Sequence, residues 1–347
     1  MTTTTKIPTP VLQTADHLIA SIPFLLGFNP AHSVVLIWLR QGKVLLTQRV
    51  DVITHSDVRA VVDESLDELH VWAREVTSAL RNVAADEVAI AVFMDSQHEH
   101  ADWCDTLISV LCHSVIDRGV YPSGAWLVVE DQWRAFNFGQ AKFHEAWQVL
   151  DPGIEADVAQ DFASIGCSPV LHRSDLESEI GPDFDRQALV LEILQGDARL
   201  GVVGDDEERR NHVIDEVWLH LGHDDVPNEG IAMMARALTD VRIRDCVLWK
   251  LSSEPVDQAR AARLRLLVRW VPVGKRAPIA TVSAIYAWML GDGARANVSL
   301  ALAFEDEQDY ELGRLLALAL TNALPPSHWR EMMSSLPYEA IRRGGAP

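Results

Sequence analysis

The chain has 347 residues, 48% of them apolar and 11 of them Trp, at a mean hydropathy of +0.03. That composition excludes a disordered chain and supplies more material than one ordinary core holds. A formal net charge of −20 opposes non-specific binding to DNA, RNA or anionic lipid, so nucleic acid is disfavoured as a partner.

Four cysteines in a chain of this length read as cytosolic thiols rather than a disulfide framework. Met1–Pro10 is rich in Thr and Pro and lacks the apolar segment of a signal peptide, so a disordered tail is expected at 1–10. Thr14–Leu26 reads as a short apolar helix, with Asp16 in its first turn, Gly27 as a left-handed cap and Pro30 as a stop. Its apolar stretch, broken by Ser21 and Pro23, is too short to span a bilayer, which points to a cytoplasmic protein and no membrane contact.

Ser33–Leu39 and Lys43–Val50 form a hairpin around Arg40-Gln41-Gly42. Asp57–Leu80 carries apolar residues at steps of three and four, as does Asp102–Arg118, and both are expected as amphipathic helices. Glu87–Met94 lies between them as a buried strand, and Ala125–Glu130 with Trp133–Phe138 make a second strand pair. Residues 11–138 should therefore form an α/β or α+β domain with a mixed sheet of about five strands.

Residues 139–182 read as a connector with one or two short helices, punctuated by Gly166, Pro169, Gly181 and Pro182. From Asp183 onward only helical spacing remains, in Arg186–Leu194, Glu207–Leu221, Glu229–Leu251, Pro255–Trp270, Ile279–Leu290, Ala294–Phe304 and Tyr310–Leu324. Residues 183–347 are expected to be an all-α domain of helical hairpins. Within it Ala287-Trp288-Met289-Leu290-Gly291 loosely resembles one tetratricopeptide unit, with no second clear copy at the usual period of about 34 residues.

The loop Gly27–Ser33 offers Asn29, His32 and Ser33 to a ligand, although cap chemistry by itself explains Gly27 and Pro30. Arg49 and Asp51 share one face of the second hairpin strand, because side chains alternate. They either bind a substrate at the strand's carboxyl end or pair with each other. His98, Glu99, His100, Cys104, Cys112 and His113 suggest zinc, but no Cys-x-x-Cys clip is present and no metal is expected. His220 and His223 read as helix-end caps around Gly222, with Asp224 and Asp225 leaving a weak cation site open.

Gly291-Asp292-Gly293-Ala294-Arg295-Ala296 matches the dinucleotide fingerprint, but a helix rather than a strand precedes it. A helix–helix turn is expected there, and no cofactor is implied. Arg242 is expected to pair with Asp245 three residues on, with Arg244 pointing elsewhere. Between Val241 and Arg276 nine basic residues face three acids, +6 in a chain otherwise at −26. Arg260, Arg263, Arg265 and Arg269 in that window either pair with acids of the same fold or dock a protein partner.

Several pieces carry a resemblance in their order and spacing. They are Ile22-Pro23-Phe24-Leu25-Leu26-Gly27-Phe28 with Pro30 and Ser33, Arg49-Val50-Asp51, Val241-Arg242-Ile243-Arg244-Asp245, Gly291-Asp292-Gly293-Ala294 and Pro325-Pro326-Ser327-His328-Trp329-Arg330. With them the chain resembles the actinobacterial family catalogued as domain of unknown function 4192 (DUF4192). The resemblance implies a shared fold and a bacterial cytosolic setting, and it transfers no chemistry. Many family members carry a Cys-rich segment after the fourth or fifth strand, whereas Asn137–Asp151 here holds no cysteine.

No Ser is framed as a hydrolase nucleophile, and no Cys has a motif-level His partner. The expected function is accordingly a non-enzymatic binding or regulatory module whose helical half presents a partner surface. The alternative is a hydrolase or transferase acting on a small polar substrate at a cleft of the α/β domain, lined by His32, Ser33, Arg49 and Asp51. Convergence of those four side chains in one concave pocket separates the two.

Overall fold

A computed structural model of the chain describes residues 14–52, 62–95, 101–164, 166–197, 199–204 and 206–343. The tail expected at Met1–Pro10 and the His98-Glu99-His100 triplet lie outside the described residues. Two compact units emerge: Met1–Arg173 with Thr321–Ala323, and Ser174–Leu320 with Leu324–Pro347. No helix among the described residues is long and apolar enough to cross a membrane.

The first unit opens with α1 (Ala15–Leu26), whose start is capped by the Thr14 hydroxyl accepting the His17 N–H. Gly27, at φ 81°, closes it by donating its N–H to the Pro23 carbonyl. Strands β1 (Ser33–Arg40) and β2 (Lys43–Asp51) follow. They turn through Gln41 and Gly42, both at positive φ. That two-residue geometry matches the twist of a hairpin. An irregularity at Trp38/Leu39 inserts Leu45 as a bulge in β2.

The helix α2 (Val62–Val76) leads to β3 (Glu87–Phe93), then α3 (Ala101–Ile116), β4 (Tyr121–Val129) and β5 (Gln132–Asn137). The sheet runs β2-β1-β3-β4-β5. Only β3 and β4 are parallel, joined across α3, so the sheet is mixed. Two further strands, β6 (Lys142–Phe143) and β7 (Gln148–Val149), each pair with β5. They raise the count from the expected five to seven and fall inside the expected connector. Two residues are too few for an alternating pattern to register.

Alternation along the strands divides the core. Val34, Leu36, Trp38, Ile90, Val92 and Leu127 cluster with Leu69 and Ala73 of α2 and Leu107 and Leu111 of α3. Val35, Ile37, Ala89 and Ala91 alternate to the opposite face and are also buried. There α1 and α4 (Pro152–Ser164) pair through stacked Phe24 and Phe162 rings 4.8 Å apart. Trp133 ties β5 to α1 by donating its indole N–H to Asp16 at 2.9 Å. Each fully buried Val, Ile or Leu of this kind contributes about 1.5–3 kcal/mol.

The second unit is helical: α5 (Arg173–Glu179), α6 (Phe184–Gly196), α7 (Glu207–Leu221), α8 (Asn228–Ala237), α9 (Val241–Ser253), α10 (Gln258–Trp270), α11 (Ala277–Met289), α12 (Gly293–Asp306), α13 (Glu311–Thr321), α14 (Pro326–Ser335) and α15 (Tyr338–Arg342). Among the described residues no strand follows Val149. Asp183, Asp206, Asp240, Asp257 and Asp292 each precede a helix and accept a first-turn backbone N–H. The Asp240 cap explains why Glu229–Leu251, expected as one helix, is two. Gly291 at φ 84° makes the α11–α12 connection the helix–helix turn the sequence implies.

Candidate functional site

The loop ahead of β1 is pinned from two sides. Asn29 donates its backbone N–H to Val170 O at 3.2 Å, and Gly27 O accepts the Val170 N–H at 2.9 Å. On the other side the Val52 N–H reaches His32 O at 3.0 Å. His32 itself sits at φ 43°, a left-handed conformation that costs a non-glycine residue free energy.

Pairing of Ser33 with Asp51 and of Val35 with Arg49 puts Ser33, Arg49 and Asp51 on one face at one end of the sheet. The charges there meet each other. Arg49 Nη2 lies 2.7 Å from Asp51 Oδ1 and donates to Ala31 O at 3.3 Å. His32 Nε2 lies 2.5 Å from Asp95 Oδ2, both side chains being more than half exposed. Ser33 is fully buried, and its Oγ has no hydrogen-bond partner among the described residues, nor does Arg49 Nε. His32 therefore stands next to Ser33 in sequence without serving as its base.

Asp95 is the member of this group that the sequence reading missed. Its position just past the last residue of β3, at the carboxyl end of a strand in a parallel pair, is the signal that marks it.

Cys104 and Cys112 are buried. Burial pushes Cys104 up to about 11 and Cys112 up to about 12, so neither is a thiolate at neutral pH. No group of three or more His, Cys, Asp or Glu side chains among the described residues is arranged to hold a metal. Burial lowers the pKa of His220, whose ring packs so tightly on Gly230 that an added Cβ would come within 2.8 Å of it. Its neighbour Asp224 pairs with Arg263.

The basic window is laced into its own unit. Arg260 meets Glu254 at 2.6 Å and lies over the Trp218 ring. Arg263 meets Asp224 at 2.5 Å, and Arg265 lies 3.6 Å from Glu179. Arg269 donates from Nε to Gly181 O at 3.1 Å. Arg295 grips both oxygens of Glu179 at 2.8 Å. Burial pushes the Glu179 carboxyl up, but hydrogen bonding to Arg295 and the charges of Arg295 and Arg265 outweigh it and hold the group below the ordinary carboxylate range. On α9 Arg244, expected to point elsewhere, pairs with Asp245 at 2.8 Å and also donates to the Tyr310 hydroxyl at 3.0 Å.

The helical unit also carries an apolar groove of about 280 Å³. Ile285 and Trp288 of α11 line it, with Leu312, Leu315, Leu316 and Ala319 of α13 and Trp329 and Met332 of α14. The Trp288 and Trp329 rings stand 6.5 Å apart in an edge arrangement. Trp329 gives its N–H to Ser252 Oγ at 2.9 Å, which satisfies the one polar group of that ring within the unit. Leu315 is 59% and Met332 47% exposed, as is Leu318 nearby at 59%.

The groove is not evident in the sequence, because a Pro-Pro pair reads as a break after Leu324 and does not announce a further helix. Pro326 in fact opens α14, where its missing N–H costs nothing. No curated protein and no solved structure matches the chain. The model of the family described as domain of unknown function (DUF4192) matches residues 16–327, and the chain belongs to that family.

Proposed function

We propose that the protein is a non-enzymatic binding module of the actinobacterial cytoplasm that captures an apolar protein segment in the groove between α11, α13 and α14. The observation that carries this reading is the groove itself: an aromatic floor with exposed Leu315 and Met332 at its edge. Large apolar side chains grouped this way on a surface mark a binding site more often than singly scattered ones do. Four free cysteines support a reducing compartment.

Selection of displayed random peptides on the purified chain tests the reading. Enriched sequences should share apolar residues at helical spacing and should be lost on a Leu315→Glu, Met332→Glu double variant. Enrichment that ignores those substitutions, or none above background, sinks it.

A second reading, a hydrolase or transferase for a small polar substrate, draws on the gathering of His32, Arg49, Asp51 and Asp95 at the end of the sheet. What weighs against it is the buried Ser33 without a base and the mutual neutralisation of the charges. Turnover of chromogenic esters or phosphoesters by the purified chain, abolished by His32→Ala, would favour it.

A further inference from the structure

We infer that the occupant of the groove is a basic amphipathic helix: its apolar face enters between α13 and α14, and its Lys and Arg flanks meet a carboxylate rim. The inference rests on the binding-module reading and deepens it.

Two facing helices supply the walls. On α13 the lining residues Leu312, Leu315, Leu316 and Ala319 follow helical spacing, and on α14 Trp329 and Met332 are three apart. A trough between two such helices accepts a third helix through apolar residues at i, i+3 or i+4, and i+7.

The charge at the rim selects among helices. Glu311 lies four residues before Leu315, hence beside it on the α13 surface, and is exposed. Glu331, also exposed, lies three residues after the groove-lining His328 and hence beside it on the α14 surface. Glu307 and Asp309 add two exposed carboxylates just ahead of α13. Among the basic groups of these segments, Arg314 lies 3.5 Å from Asp309, Arg330 is only partly exposed, and His328 lines the groove itself. Glu311 at a helix start has the structural role of offsetting the helix dipole. Glu331, well inside α14, has no such role. The net charge of −20 adds long-range attraction for a cationic segment. An acidic helix with the same apolar face would meet like charge at the rim and be rejected.

The test uses the full chain and two labelled synthetic helices that share one apolar face, one flanked by Lys and one by Glu, followed by fluorescence anisotropy. The Lys-flanked peptide should bind about tenfold more tightly at low salt, and the gap should narrow as salt rises. Glu311→Lys with Glu331→Lys should abolish the preference. Equal affinities, or a preference for the Glu-flanked peptide, overturn the inference; if Leu315→Glu still removes both, the groove reading survives alone. Failure of both peptides, together with an empty peptide selection, overturns the binding-module reading itself.

Discussion

Two helices of the same unit, α11 and α13, are both dominated by apolar residues and meet opposite fates. Every residue of α11 from Ala277 to Met289 is buried, whereas on α13 only Gly313 and Leu316 are. A helix that is apolar all round and covered all round is explained by the core it builds. One whose apolar stripe is wider than its cover leaves side chains that the fold itself does not account for. In the groove, α11 makes the floor and α13 the uncovered wall, the arrangement on which the proposed binding role rests.

The sharpest way to break the comparison is to unseat α11. Arg276, at its N-terminus, is 4% exposed and meets Asp306, itself 2% exposed, at 2.6 Å. Asp306→Ala leaves the buried guanidinium only the exposed Glu305 at 3.3 Å and should cost about 3–5 kcal/mol, seen as a lowered midpoint in chemical denaturation followed by circular dichroism. Next comes Ile285→Ala in the groove floor, which should cost about 2–5 kcal/mol in the same assay. A loss below about 1 kcal/mol there would mean that α11 is less tightly packed than its burial implies.

A third measurement concerns the Glu179 carboxylate held by Arg295 and Arg265. A depressed folded pKa gives stability that is complete above the unfolded carboxylate range and is lost as pH falls through the folded value. The unit should weaken on acidification, and Glu179→Gln should flatten that acid limb while lowering stability at neutral pH. An unchanged limb would remove Glu179 from the account. The smallest effect belongs to α13: Leu315→Ala should shift stability by no more than about 0.5 kcal/mol, the mark of a side chain the fold does not use.

Much of this was legible in residues with strong local chemistry. Gln41-Gly42, Gly27 and Gly291 specify turns and caps by backbone geometry alone, so the hairpin, α1 and the α11–α12 turn fall where the sequence puts them. The break at Asp240 is hidden in the sequence because apolar spacing continues through it from Glu229 to Leu251. Side-chain partners were less legible. Arg244 and Asp245, adjacent on α9, pair while Tyr310 from a distant segment also accepts from the guanidinium, which no spacing rule contains. Asn29, His32, Ser33, Arg49 and Asp51 do come to one end of the sheet, but which charge meets which depended on Asp95 from another strand. The groove was hidden because it needs α14, and a Pro-Pro pair signals a helix end and a helix start alike.

The two short strands on β5 have a consequence for how molecules of this chain behave in company. β7 occupies the start of the β5 edge at Gln132 and Trp133, and β6 its end at Phe136 and Asn137. The His144 N–H takes the Ala135 carbonyl between them. At the opposite margin the Leu45 bulge interrupts β2. The β5 margin thus offers a neighbouring chain no long template for strand addition, the usual first step toward fibrous aggregates, and at the β2 margin the bulge confines regular strand to Leu46–Asp51.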